Sequence, residues 1–173
     1  MIQHLLAVDA GLRGAGTALF NDCGGLVRAA YVRNPDKTGT GVHAWGALAN
    51  AVYEWVGLRG PVAIETMRHR PGREKGNPQN ILEVQGVAAA IAFTCCSYDA
   101  AGKSVIAGYE PQVWKGTVKK DVMLKRIFGR LSATEAEVLP EVSASLLHNV
   151  LDACGIGLYH LGRLTPARVV VQG

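Results

Sequence analysis

The sequence predicts an α/β fold: a mixed five-stranded sheet, its first three strands antiparallel, with helices on both faces. Three observations carry this. Three short apolar runs separated by glycine-rich turns come first, at residues 5–8, 17–20 and 26–32. Strand-like and helix-like segments then alternate, the pattern of a sheet covered by helices. The chain has 173 residues, 49% of them hydrophobic, which suits one domain with a real core.

The first run ends in a single carboxylate, Asp9. Glycines at 11, 14 and 16 lead into the second run, so the pair reads as a β-hairpin. A charge in a mostly buried strand needs compensation. Asp9 therefore pairs with a basic group or holds a metal, unless it is a surface turn residue. This stretch alone leaves those readings open. Gly24 and Gly25 turn the chain into the third strand, and residues 34–41 form a loop. Over residues 42–56, Trp45, Leu48, Ala49, Val52, Trp55 and Val56 recur at helical spacing, and Gly57 with Gly60 and Pro61 ends that helix.

Residues 61–65 repeat the plan of the first strand, an apolar run ending in a carboxylate, Glu65. The polar, basic stretch 66–78 predicts a mobile loop. A long helix follows at 79–97. Its C-terminal half is apolar almost all round, which predicts burial on two sides, the second neighbour being another subunit. A short strand is expected at 103–108. Residues 113–131 read as one basic helix with Val118, Val122, Ile127 and Leu131 inward, and 132–140 as a loop. The final helix, 142–162, offers Leu146, Leu147, Val150, Leu151, Ile156, Leu158 and Leu161 for packing. Residues 167–171 read as a short terminal strand or a loose tail, with 164–173 as the tail's widest extent. No repeat or linker divides the chain, which reads as a single domain over 1–173.

Composition narrows the function classes. No apolar run approaches the roughly 18–20 residues of a membrane span. The N-terminus lacks a basic segment and a cleavage site, so a cytoplasmic protein with no membrane partner is expected. Cys23, Cys95, Cys96 and Cys154 form no C-x-x-C pair and read as reduced thiols. The net charge is +4 and unevenly spread. Residues 66–76 hold Arg68, Arg70, Arg73 and Lys75 against Glu74. Residues 113–130 hold six basic side chains against Asp121, and the remainder is net acidic. Two basic segments on an otherwise acidic chain point to a polyanion such as nucleic acid.

If the strands ending in Asp9 and Glu65 are neighbours, their carboxylates converge, and a hard divalent cation is the natural compensation. The final helix supplies a third carboxylate, Asp152, at the centre of an apolar segment where an acid is unusual unless paired or functional. His148 and Asn149, four and three residues earlier, share its helix face, with Ser145 and Gly155 on or near it.

These motifs, taken together, resemble the RuvC-type Holliday-junction resolvases of the RNase H-like superfamily. VDAGLRGAGTALF resembles the first-strand signature, and VAIETM the motif bearing the second acid. NILEVQGVAAAIAF resembles the dimer-interface helix, VWKGTVKKDVM the basic segment, and LLHNVLDACGIGLYH the final acidic motif. The likeness is collinear over residues 4–162. It implies an RNase H-like fold and a metal-dependent endonuclease that resolves four-way DNA junctions by paired symmetric nicks. It implies a homodimer in a bacterial or phage-infected cell, and no organic cofactor. Asp9, Glu65 and Asp152 become ligands of two Mg²⁺ ions per site, with Mn²⁺ also supporting activity. Lys115 and Lys120, or its neighbour Lys119, become the basic residues at the scissile phosphate. Where the family places Asp or His three residues before the last Asp, this chain has Asn149. His148 is accordingly the expected fourth catalytic residue, with Asn149 in reserve. Where members carry an aromatic wedge, this chain has Met67 and Arg68. These two, with Arg13, Arg70, Arg73, Lys75, Lys115, Lys119 and Lys120, are the expected DNA contacts.

Rival readings are a flap, fork or RNA–DNA hybrid nuclease and a junction-binding protein without catalysis. The hairpin also resembles the opening of actin-like ATPases and sugar kinases, but those need two such domains around ATP, and this chain holds one.

Overall fold

The computed structural model describes residues 4–67, 77–98 and 100–166. Strands β1 (Leu5–Gly11), β2 (Gly14–Phe20) and β3 (Leu26–Arg33) form an antiparallel meander. Helix α1 (Gly41–Val56) leads to β4 (Val62–Glu65), and α2 (Pro78–Cys95) to β5 (Ile106–Tyr109). Both later strands run parallel to β1, so the sheet order is β3-β2-β1-β4-β5. The predicted mixed five-stranded sheet is the one observed.

Strand periodicity divides the interior in two. Leu6, Val8, Leu19, Val62 and Ile64 face α1 and α2. Leu5, Ala7, Ala18, Phe20 and Ala63 face the last helix, α6 (Ala144–His160). On that second face Ala7 pairs with Ala18 and Ala63, and Ala18 with Ala29. This alanine row lets α6 lie close to the sheet. At Gly16 the approach is closest: a Cβ there would stand 2.0 Å from the Asn149 carbonyl oxygen. One turn past Asp152, Gly157 sits against the Phe20 ring for the same reason.

Helix α2 starts at Pro78, a residue pre-set for a first helical position, with Asn77 capping the Gln79 N–H. Glu83 of α2 accepts hydrogen bonds from Trp45 Nε1 and from the Gly41 N–H at the start of α1, joining the two helices. Among the described residues, the apolar half of α2 is buried on one side only. Leu82, Ala89 and Phe93 line an exposed stripe opposite the buried Val87, Ala88 and Ile91.

Three expectations are corrected. The basic segment is not one helix. A short turn, α3 (Pro111–Trp114), is separated from α4 (Lys120–Phe128) by a break at Gly116, whose φ of +70° no other residue type adopts cheaply. The break resets the helical phase, so Met123 and Ile127 point inward and Val122 is exposed. Residues 132–140 are not all loop: Ser132 and Glu135 form a capping box that starts α5 (Ala133–Glu137). The final helix begins at Ala144 and ends at His160, shorter than expected, with Leu146, Leu147 and Leu161 only half-buried. Beyond it Leu164 is buried in the core. The stretches 68–76 and 167–173 lie outside the described residues, and with them most of the expected basic loop and of the terminal tail.

Candidate active site

Val8 pairs with Ile64, so Asp9 and Glu65 come next, side by side, at the C-terminal ends of two parallel strands. Ligand sites of α/β sheets form at such ends. Asp9 also pairs across β2 with Gly16, and Gly16 is where α6 crosses. The crossing therefore sets the helix beside Asp9, and the next turn carries Asp152, only 4% exposed.

Two neighbours fix these acids. Trp114 is fully buried and donates from Nε1 to Glu65 Oε2 at 2.9 Å. Gly155 makes room for its ring, since a Cβ there would be 2.5 Å away. Lys115 extends its ammonium between the strands and α6, 2.9 Å from Asp152 Oδ2 and 3.3 Å from Glu65 Oε2. It also lies 4.6 Å from the centre of the Trp114 ring. His148 Nε2 is 3.3 Å from Asp152 Oδ2, and its Nδ1 is buried without a hydrogen-bond partner. Lys115, Val118, Lys120, Met123, His148 and Asp152 line a cavity of about 180 Å³ that opens onto this cluster.

The electrostatics are under-compensated. Burial, then the charges of Glu65 and Asp152, push the Asp9 carboxyl well above the usual carboxylate range, against the pull of Lys115 and Lys120. Burial also raises Glu65, with Asp152 adding to it and Lys115 and Trp114 opposing. For Lys115, burial works to lower the pKa, but the Glu65 and Asp152 carboxylates outweigh it and the net shift is upward. Burial keeps His148 below its ordinary value despite Asp152, leaving it neutral at pH 7. Three carboxylates, with the imidazole Nε2 that faces one of them, are a donor set that fits hard divalent cations. Among the described residues, no three His, Cys, Asp or Glu side chains are arranged to hold a metal ion as they stand. The Lys115 ammonium lies between two of the three acids.

Of the other expected residues, Lys120 opens α4 and lines the cavity, whereas Lys119 precedes it, exposed and outside. Asn149 meets Gly16 through its backbone carbonyl. Arg13 is exposed in the hairpin turn, and the half-buried Met67 accepts at its carbonyl from the Gln85 side chain. Arg68, Arg70, Arg73 and Lys75 lie outside the described residues. Sequence reasoning missed Trp114, although a buried indole N–H demands an acceptor and this one adjoins Lys115.

No protein-family model matches the sequence, and no curated protein matches it. Solved structures do. Thermus thermophilus RuvC in complex with a Holliday junction substrate superposes with a TM-score of 0.57 at 18% identity, over 95% of this chain and 99% of that one. The chain has the RuvC fold. The yeast mitochondrial Holliday junction resolvase Ydc2 matches with a TM-score of 0.55 at 12% identity, over 93% of this chain and 82% of that one. At these identities the RuvC likeness speaks for the fold. The site rests on the side chains described above. No helix among the described residues is long and apolar enough to cross a membrane.

Proposed function

We propose that the protein is a divalent-metal-dependent endonuclease that resolves four-way DNA junctions as a homodimer, by paired symmetric nicks. The observation that carries this is the convergence of Asp9, Glu65 and Asp152 beside Lys115, with His148 and Lys120 at the mouth. The Thermus protein of the same fold was solved with a Holliday junction substrate, which supports the choice of DNA.

Asp9, Glu65, Asp152 and His148 would hold two Mg²⁺ ions, or Mn²⁺ in their place. Such ions, when bound, activate water for in-line attack on a phosphodiester and stabilise the leaving 3′-oxygen. The remaining work belongs to the chain. Trp114 orients Glu65. Lys120 meets phosphate oxygens at the cavity mouth and balances developing negative charge. His148 presents Nε2 to Asp152 at the cavity, where it would act as a ligand or pass a proton. The exposed stripe of Leu82, Ala89 and Phe93 supports a two-fold contact that would set two sites against a junction's own symmetry. The reading places the protein in the cytoplasm of a bacterial or phage-infected cell.

The test is cleavage of a synthetic four-way junction with Mg²⁺ or Mn²⁺, comparing the parent with Asp152→Asn. The parent should give paired nicks and Asp152→Asn none. Tight junction binding with no cleavage in either metal would leave a binding protein rather than a nuclease. Equal cutting by both proteins would remove the acidic cluster from the mechanism.

A further inference from the structure

We infer that Lys115 is the resident cation of the metal-free site, and that divalent metal enters by displacing its ammonium toward the cavity mouth. The inference rests on the metal reading above and concerns a residue of this chain.

The geometry is that of a cation seated among anions. The Lys115 ammonium stands 2.9 Å from Asp152 and 3.3 Å from Glu65, contacts at which one charge serves two buried acids. The same ammonium lies over the Trp114 ring, 4.6 Å from its centre, a third contact that favours a cation in this seat. The seat is also one the lysine can leave. Trp114 before it is locked by burial and by its bond to Glu65, and Gly116 after it holds the break between the helices. The backbone at residue 115 is thus fixed, while the long side chain keeps its rotamers and is 26% exposed. It already lines the 180 Å³ cavity shared with Lys120.

A divalent ion brings two charges to acids that one ammonium under-compensates, so it prevails in the contest for them. The displaced ammonium then stands at the mouth beside Lys120, where a substrate phosphate arrives. One lysine therefore balances the acids before metal binds and meets the phosphate after, and metal entry is the step that frees it.

Two measurements without DNA test this. In the first, the wild-type chain is acetylated with an amine-reactive ester, with EDTA or with saturating Mn²⁺, and the sites are mapped by mass spectrometry. Labelling of Lys115 should rise several-fold with Mn²⁺, while the exposed Lys119 stays constant. Unchanged or reduced labelling of Lys115 in Mn²⁺ would overturn the inference. In the second, Mn²⁺ binding is measured by calorimetry for wild type and Lys115→Met. The variant should bind roughly tenfold more tightly or better, because no internal competitor remains. Its melting temperature should lie several degrees below wild type in EDTA and converge with it in Mn²⁺. Equal affinities would sink the displacement and leave the metal site intact, whereas no Mn²⁺ binding by either protein would remove the metal reading and the inference together. If Lys115→Met fails to fold, the labelling of the wild-type chain decides alone.

Discussion

Two carboxylate assemblies lie along the same helix and follow opposite rules. Past the C-terminus of α6, Arg163 grips Glu135 through two guanidinium nitrogens, at 2.6 and 2.8 Å. Glu135 also accepts from the Leu26 and Ser132 N–H groups, and Arg163 donates to the carbonyls of Gly24 and Arg130. One acid meets one base and both are fully hydrogen-bonded. The arginine and the backbone donors together hold Glu135 down at about 2. Near the middle of α6, three acids share one lysine, and Asp9 and Glu65 are pushed upward instead. A carboxylate that only holds the fold together is given enough donors. A cluster left short of them stores repulsion that an incoming cation relieves, which is the signature expected of a functional site.

The contrast can be broken most forcefully at Asp9. Asp9→Asn should reduce junction cleavage by roughly 10²–10³-fold, the loss typical for one group acting on the developing charge. It should also raise the melting temperature in EDTA, because one repelling charge is gone. A fall in both would make Asp9 a structural residue. At the other assembly, Arg163→Met leaves Glu135 with its two backbone donors alone and should cost about 1–3 kcal/mol of stability by denaturant unfolding. Junction cleavage per folded molecule should be unchanged. The same pair sets an acid limit. Because Glu135 is held at about 2, its contribution is complete above its ordinary value near 4.5 and is lost as pH falls through about 2. Arg163→Met should flatten the stability–pH curve across that window, and an unaltered slope would mean that Glu135 is not the linked group. Gly16→Ala tests whether the α6 crossing matters to the cluster. Overpacking against the Asn149 carbonyl should destabilise by about 1–3 kcal/mol and slow cleavage without changing junction affinity. The smallest effects should separate two neighbouring lysines. Lys119→Ala should leave cleavage nearly unaltered, whereas Lys120→Ala should slow it, and the reverse would move the phosphate contact out of the cavity.

Much of this was legible in the chain because it depends on local pattern. The apolar runs fix strands by their length and their glycine-rich flanks, and an acid at the end of two such runs marks Asp9 and Glu65. Asp152 stands out as a charge in an apolar helix. What escaped depends on contacts between distant segments or on a single dihedral. The break at Gly116 looks in sequence like one tolerated glycine inside a basic helix, yet it decides where Lys115 points and shifts the inward set from Val122 to Met123. The hydrogen bond from Trp114 to Glu65 joins residues 49 positions apart, and no periodicity reports it. The capping box at Ser132 and Glu135 was visible as a spacing, but its worth comes from Arg163, 28 residues on.

The alanine row beneath α6 has a consequence for the cleft above it. Ala7, Ala18 and Ala63 carry no chemistry, and each is fully buried. They act as shims. The gap between Asp152 on the helix and Asp9 and Glu65 on the sheet is set by the thickness of one methyl layer, as a machinist sets a bearing. Replacing Ala18 by valine would lift the helix against a fixed sheet and widen that gap with every charged residue unchanged. If the cluster holds the cation proposed above, the size it accepts would be written into these buried methyl groups.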